Sequence, residues 1–393
     1  MVVHKIISKT ILIVSMGLFS TSFTIVSDNK TLPDLKSSFT IDKPLLLFVG
    51  TYTKNSKSKG IYLYEMNRKT GALSYVSTCE TVNPSYLAIH PNKQWLYAVS
   101  EVEGDKQKST GVISAFKIDT IKKQLTFINS VSAQGNGPCY VSIDRSGNFA
   151  MLANYGSGNV AAFPINKDGS LKEASSTHQH LGKGQTPRQE GPHAHMIIPG
   201  LSNYVYSTDL GTDKIIQYTL DKQGKLTLVK EFVANAGAGP RHLTFHSNGK
   251  WVYVINELNG TIETSNLNKS TGDFTRFQTI STLPEGQSVF AGSADIHIAP
   301  SGKYLYASNR AEVNNIAMYS INQNTGELKI IGHQTVFGKA PRNFVIDPTG
   351  TFLLVANQDS DNVITFRIDS ATGKLIETGL RSEIPKPVCL KFF

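Results

Sequence analysis

Short runs in which apolar and polar residues alternate recur along most of the chain, and each is closed by Gly, Asn or Asp. GIYLYEMN from Gly60, NVAAFPIN from Asn159, KIIQYTLD from Lys214 and NVITFRID from Asn362 are of this kind. A period of two marks a strand with one face towards a core. Most of these runs are followed by a glycine turn and a further strand, as in TGAL, DGSL, QGKL, TGDF, TGEL and TGKL. Hairpin links are therefore expected.

A second pattern recurs beside the first. It is a pair of strands joined by a polar turn, and the second strand usually ends in Asn. Copies include PSYLAIHPNKQWLYAVSE from Pro84, PCYVSIDRSGNFAMLANY from Pro138 and PRHLTFHSNGKWVYVINE from Pro240. SADIHIAPSGKYLYASNR from Ser293 and PRNFVIDPTGTFLLVANQ from Pro341 follow, and the copy from Pro192 carries one extra residue. Starts at 84, 138, 192, 240, 293, 341 and 387 are 54, 54, 48, 53, 48 and 46 residues apart. Each unit is four short antiparallel strands, which is the make-up of a propeller blade. The segment from Pro387 to Phe393 supplies only an innermost strand, and the segment from Pro44 to about Glu80 supplies the three outer ones. The expected fold is all-β: a seven-bladed β-propeller whose last blade is closed by the N- and C-terminal segments, occupying residues 44–393 as a single domain.

In such a blade the start of the innermost strand and the end of the second strand meet at one mouth of the channel. The position closing the second strand is nearly constant: Asn154, Asn256, Asn309 and Asn357, with Asp209, Ser100 and Thr51 in the other blades. A short polar side chain repeated in this way is architectural, because it satisfies loop backbone groups. The next position varies: Tyr52, Glu101, Tyr155, Leu210, Glu257, Arg310 and Gln358. So does the residue after the first of the inner strand: Ser85, Cys139, His193, Arg241, Ala294 and Arg342. Positions freed from the repeat are where function is expected. Three consecutive blades supply His193, Arg241, Glu257 and Arg310. The imidazole and carboxylate suit proton transfer, and the guanidiniums suit an anion or oxyanion. Tyr52, Glu101, Arg342 and His195 complete the rim as candidate substrate-binding residues. Arg188, in the polar stretch KGQTPRQEG from Lys183, is a candidate lid residue. His193 and His195 share a strand face, but no third and fourth ligand is evident and no metal is assigned. A channel cation held by Glu101, Asp209 and Glu257 stays open as an alternative.

Composition narrows the class of partner. With 39 Lys and Arg against 30 Asp and Glu the net charge is +9, yet the basic residues are scattered. This gives no footprint for nucleic acid and suits a small anionic ligand. Three cysteines, Cys79, Cys139 and Cys389, make no disulfide framework. Lys5 and Lys9 precede an apolar stretch from Thr10 to Val26, broken by Ser and Thr. Residues 1–26 therefore read as a removable signal peptide and 27–43 as a linker. The expected location is periplasmic or extracellular, with no membrane span left after processing. The oligomeric state is left open.

FVGTYT at the first strand, RQEGPHAH, GPRHLTFHSNGKWVYVINEL and IAPSGKYLYASNR together carry a resemblance. From Pro44 to Phe393 the chain resembles the lactonase family of seven-bladed propellers, of the 6-phosphogluconolactonase type, to which fungal carboxymuconate cyclases are related. The resemblance implies hydrolysis of a negatively charged sugar lactone, hence a place in carbohydrate and glucose metabolism. It implies a carboxylic-ester hydrolase that uses no metal or other cofactor. The family's acid–base and anion-binding residues fall on His193, Arg241, Glu257 and Arg310. Glu257 with His193 is then expected to move the proton, while Arg241 and Arg310 hold the oxyanion. A lactonising cyclase and a non-catalytic binding propeller are the alternatives. An exported chain departs from the cytoplasmic setting of 6-phosphogluconolactone, which leaves open whether the substrate is phosphorylated or is an unphosphorylated sugar lactone or aldonolactone, and whether the lactone chemistry is lost.

Overall fold

The computed structural model describes residues 43–102 and 111–393. The segments read as signal peptide and linker lie outside the described residues, save Lys43. Strands dominate, and the helical content among the described residues is two single 3-10 turns, Pro187–Gln189 and Gln358–Ser360. No described helix is long and apolar enough to cross a membrane.

The strands form seven four-stranded antiparallel sheets, numbered here in chain order. In six of them the four strands are consecutive along the chain. In the first, Pro387–Phe392 is innermost and pairs with Leu45–Thr51, which in turn pairs with Gly60–Met66. Each innermost strand touches that of the next sheet. Pro341–Ile346 of the seventh sheet touches Pro387–Phe392, and that strand touches Tyr86–Ile89 of the second. The ring is closed.

Burial explains why the second strand of most units is largely apolar up to its closing polar residue. Phe149–Asn154, Trp251–Asn256 and Phe352–Asn357 are buried at every position, because a blade is covered on both faces by its neighbours. The outermost strands, such as Leu226–Val233, are mostly exposed. Neighbouring sheets are latched by a repeated hydrogen bond. The hydroxyls of Tyr97, Tyr206, Tyr253 and Tyr306 donate to the carbonyls of Gly169, Gly272, Gly326 and Gly373 in the next sheet, at 2.8–2.9 Å. Those carbonyls belong to the glycine turns seen in the sequence. The glycines have positive φ, and a Cβ on Gly326 would lie 2.5 Å from the Trp251 ring.

Two details decide the geometry near the axis. The constant Asn is architectural: Asn154, Asn309 and Asn357 each donate from Nδ2 to a backbone carbonyl of the preceding loop, at Ala133, Thr282 and Val336. The start of the innermost strand carries a bulge, seen between Pro138/Tyr140, Ala194/Met196, Pro240/His242 and Pro341/Asn343. The bulged residue leaves the ladder, which frees its side chain for the axis. These residues are Cys139, His195, Arg241 and Arg342. The register corrects one sequence assignment. Ala194 pairs with Asp209 as Pro240 pairs with Asn256. The counterpart of Arg241 in the fourth sheet is therefore His195, and His193 lies just ahead of the strand. The extra residue counted from Pro192 reflects a strand that starts two residues later and a turn that is one residue shorter.

Candidate functional site

The residues singled out from the sequence gather where inner strands begin and second strands end. Glu257 follows the second strand of the fifth sheet and is 3% exposed. Its Oε1 accepts a hydrogen bond from Arg188 Nη1 at 2.8 Å. Its Oε2 lies 2.8 Å from Arg241 Nε and 2.9 Å from Arg310 Nη2. The Arg241 contact is one of charge, since that N–H is out of line for a hydrogen bond. Both oxygens are thus held by guanidiniums from three separate stretches of chain. Burial pushes the Glu257 carboxyl up, but Arg310, Arg241 and Arg188 outweigh it and bring it to about 2.

The arginines have different stations. Arg241 is 1% exposed and donates from Nη1 to the Ala294 carbonyl at 2.6 Å, so it forms a floor. Burial, with the charges of Arg310 and Arg342, lowers it to about 10, and it stays cationic at neutral pH. Arg310 donates from Nε to the Gly292 carbonyl at 2.8 Å and keeps part of its side chain open to solvent. Arg342 lies 3.6 Å from Glu101 Oε2, which also accepts from the Tyr52 hydroxyl at 2.8 Å. Its guanidinium stands 5.5 Å from the Tyr52 ring centroid. Among these charged groups, four guanidiniums face two carboxylates, and the excess is positive.

His193 stands at the rim of this cluster. Its ring stacks on Tyr155 at 4.4 Å, and the Tyr155 hydroxyl accepts from Arg188 Nη2 at 3.2 Å. His193 Nδ1 lies 2.9 Å from the Tyr155 carbonyl oxygen. A carbonyl only accepts, so Nδ1 carries a hydrogen and Nε2 is the nitrogen left for proton transfer. Glu190 Oε1 lies 3.4 Å from Nε2. The backbone N–H of His193 donates to Asp209 Oδ1 at 3.0 Å. Asp209 is fixed by a buried chain, with its Oδ2 2.6 Å from His180 Nδ1 and the Tyr218 hydroxyl 2.8 Å from His180 Nε2.

Arg188 rides on an anchored loop rather than a solvated one. The buried Gln189 side chain donates to the Leu210 carbonyl and to Asp213 Oδ1, and its Oε1 accepts from the backbone of Gln185 and Thr186. His195 is not at the rim. It is 4% exposed, 3.8 Å from Cys139 Sγ and 5.2 Å between centroids from the His242 ring. Burial, Arg241 and His242 hold it well below the ordinary imidazole range, so it is a neutral wall of the channel. Tyr155 touches both rings, stacked on His193 and edge-on to His195 at 5.6 Å, but the ring nitrogens of the two histidines have different partners. Asp209 and Glu257 are likewise engaged by protein groups. Sequence reasoning passed over Tyr155 as a site residue, although it occupies a variable position after the second strand. Asp209 fills the architectural role read for its position, accepting from the backbone N–H groups of His193 and Thr212, whereas Glu190, which flanks His193, gave no sequence signal.

With this geometry in hand, comparison with known proteins is decisive. Residues 46–392 match the family model described as lactonase, 7-bladed beta-propeller. The chain belongs to the lactonase family of seven-bladed β-propellers. Among its relatives is the 6-phosphogluconolactonase of Bacillus subtilis, 37% identical over 347 residues, covering 88% of this chain and 97% of that protein. The 6-phosphogluconolactonase of Formosa agariphila is 38% identical over 337 residues, with 84% and 94% covered. Among solved structures, the periplasmic gluconolactonase of Pseudomonas aeruginosa superposes with a TM-score of 0.84 at 30% identity, covering 88% of this lactonase-family chain and 98% of that one.

Proposed function

We propose that this protein hydrolyses a sugar lactone at the mouth of its channel, using side-chain acid–base chemistry and no metal. The observation that carries the reading is the His193 ring, with its Nδ1–H tied to the Tyr155 carbonyl, standing beside the guanidiniums gathered on Glu257. The names of the Bacillus, Formosa and Pseudomonas relatives support a lactone substrate. In the first step a water oxygen bonds to the lactone carbonyl carbon as His193 Nε2 takes its proton. The carbonyl π electrons move onto oxygen, and Arg310 and Arg188 stabilise that oxyanion. When it collapses, the bond from carbonyl carbon to ring oxygen breaks, and imidazolium returns the proton to the leaving oxygen. The product is the open-chain aldonic acid.

Glu257 takes a different role here from the proton carrier expected of it. A carboxylate held at about 2 with both oxygens engaged is a poor base near neutrality. It gathers Arg188, Arg241 and Arg310 into one array. The positive excess of the rim also disfavours a divalent cation, so turnover should survive chelation. Export is part of the proposal, supported by the basic and then apolar start of the chain. The periplasmic setting in the Pseudomonas relative's name supports it too.

The test is hydrolysis of glucono-δ-lactone and 6-phosphogluconolactone, with the spontaneous rate subtracted, by the wild type and by His193→Asn. Asn keeps a donor for the Tyr155 carbonyl and removes the basic nitrogen. Its kcat should fall by about 10²–10⁴-fold, with KM little changed. An unaltered kcat removes His193 from the chemistry.

A further inference from the structure

A groove of about 700 Å3 opens outward from His193, across the end of the third sheet, to Gln179 on that sheet's outermost strand. We propose that it seats a glycosyl substituent, so that the substrate is an aldonolactone extended by a second sugar. The inference rests on the lactonase reading of the mouth and names the substrate class for it.

The lining has the chemistry of a carbohydrate subsite. Gln134, Asn136, Ser157, Thr177 and Gln179 supply amides and hydroxyls, which both donate and accept. Two of these are set by their own hydrogen bonds. Gln179 Nε2 donates to the carbonyls of Ser157 and Gly158, so Oε1 is the acceptor it has to offer. Ser157 Oγ accepts from Asn136 N at 2.6 Å, so its O–H is left to donate. The groove is large enough for a ligand beyond the lactone ring, since sites of about 300–1,000 Å3 hold drug-sized molecules.

Charge separates the two halves of the rim. Among the described residues, no Lys or Arg lines the groove, and its ionisable members are Glu190 and His193. The guanidiniums of Arg188, Arg310 and Arg342 all lie outside it. A neutral polyol meets hydrogen-bonding partners and pays no Coulomb cost. His193 stands at the junction, so a lactone ring at its Nε2 has the cationic cluster on one side and the amide-lined groove on the other.

Gly191 provides the handle for a test. A Cβ built there meets nothing within 4 Å, and its φ is not in the left-handed region. Gly191→Phe therefore fills groove space without a clash at its base. Thr177→Trp, on the outer wall, does the same far from His193. The measurement is kcat/KM for cellobiono-δ-lactone and maltobiono-δ-lactone relative to glucono-δ-lactone, followed by proton release. Wild type should prefer at least one glycosylated lactone by about tenfold or more, the worth of one or two added hydrogen bonds. Each variant should reduce that preference, with glucono-δ-lactone turnover reporting that the site is folded. Equal rates on all three lactones, or a preference unmoved by both variants, overturn the inference and leave the lactonase reading standing. Activity on 6-phosphogluconolactone alone overturns this inference and keeps the lactonase reading, whereas wild type inert towards all four lactones sinks both together.

Discussion

A carboxylate with three guanidiniums around it is a brace before it is a reagent. Glu257 loses its hydration on burial and regains the loss through Arg188, Arg241 and Arg310. Glu257→Gln would leave those cations packed without a counter-ion. The expected stability loss is about 3–5 kcal/mol, the scale for breaking a buried ion pair from one side. Denaturant unfolding measures it. The same variant separates brace from base. KM should rise by more than kcat falls, because the arginines lose their brace while the imidazole stays in place. A kcat lowered by about 10²-fold or more, with KM unmoved, would return proton transfer to Glu257. At this scale the sequence named Glu257, Arg241, Arg310 and Arg188 because they occupy positions or loops that the repeat leaves free. It put His193 rather than His195 at the strand position of Arg241, because aligning copies on their first proline hides a strand that starts two residues later. Only the pairing of Ala194 with Asp209 reveals which histidine is the bulged one.

Strands and turns were the most readable elements, since alternation and the glycine motifs mark them directly. What the glycines are for was not readable. Gly326 has a φ of +81°, and its would-be Cβ lies 2.5 Å from Trp251 of the preceding sheet, whose Tyr253 hydroxyl bonds the Gly326 carbonyl. The turn is therefore half of a joint between sheets. Gly326→Ala should cost about 1–3 kcal/mol through backbone strain, with the displaced indole adding to it. Tyr253→Phe should cost only about 1 kcal/mol, the worth of one hydrogen bond. Urea unfolding of the two variants gives the comparison. Equal losses would mean that strain at the glycine is not what the joint depends on. The bulges that aim Cys139, Arg241 and Arg342 at the axis were also beyond sequence reading, because a bulge is a relation between two strands.

Across the whole molecule, acid should loosen the ring in two stages. Burial, then Arg241, hold His242 down from 6.5 to about 4 in the fold. An unfolded chain takes up that proton near 6.5, so between the two values the unfolded state carries more protons and acid favours it. His195 adds to the same trend. The contribution of Glu257 is full above its ordinary 4.5 and is lost as pH falls towards about 2. The thermal midpoint should therefore drop steadily from neutral pH down to about 4, and more steeply below it. A midpoint that is flat from neutrality to 4 would contradict the buried neutral imidazoles. The blade count was legible at this scale because the two chain ends are complementary fragments of one unit. Which side chains fill the channel was not, because each comes from a different blade.

That shared blade also governs how the protein is made. A chain leaving the ribosome can pair Leu45–Thr51 with Gly60–Met66 early, but the inner edge of Leu45–Thr51 has its partner in Pro387–Phe392, on the far side of six complete sheets in the chain order. An open strand edge invites pairing with other chains. The nascent protein must carry that exposed edge through the synthesis of six further sheets, and the hazard ends only when Pro387–Phe392 has been made and docked.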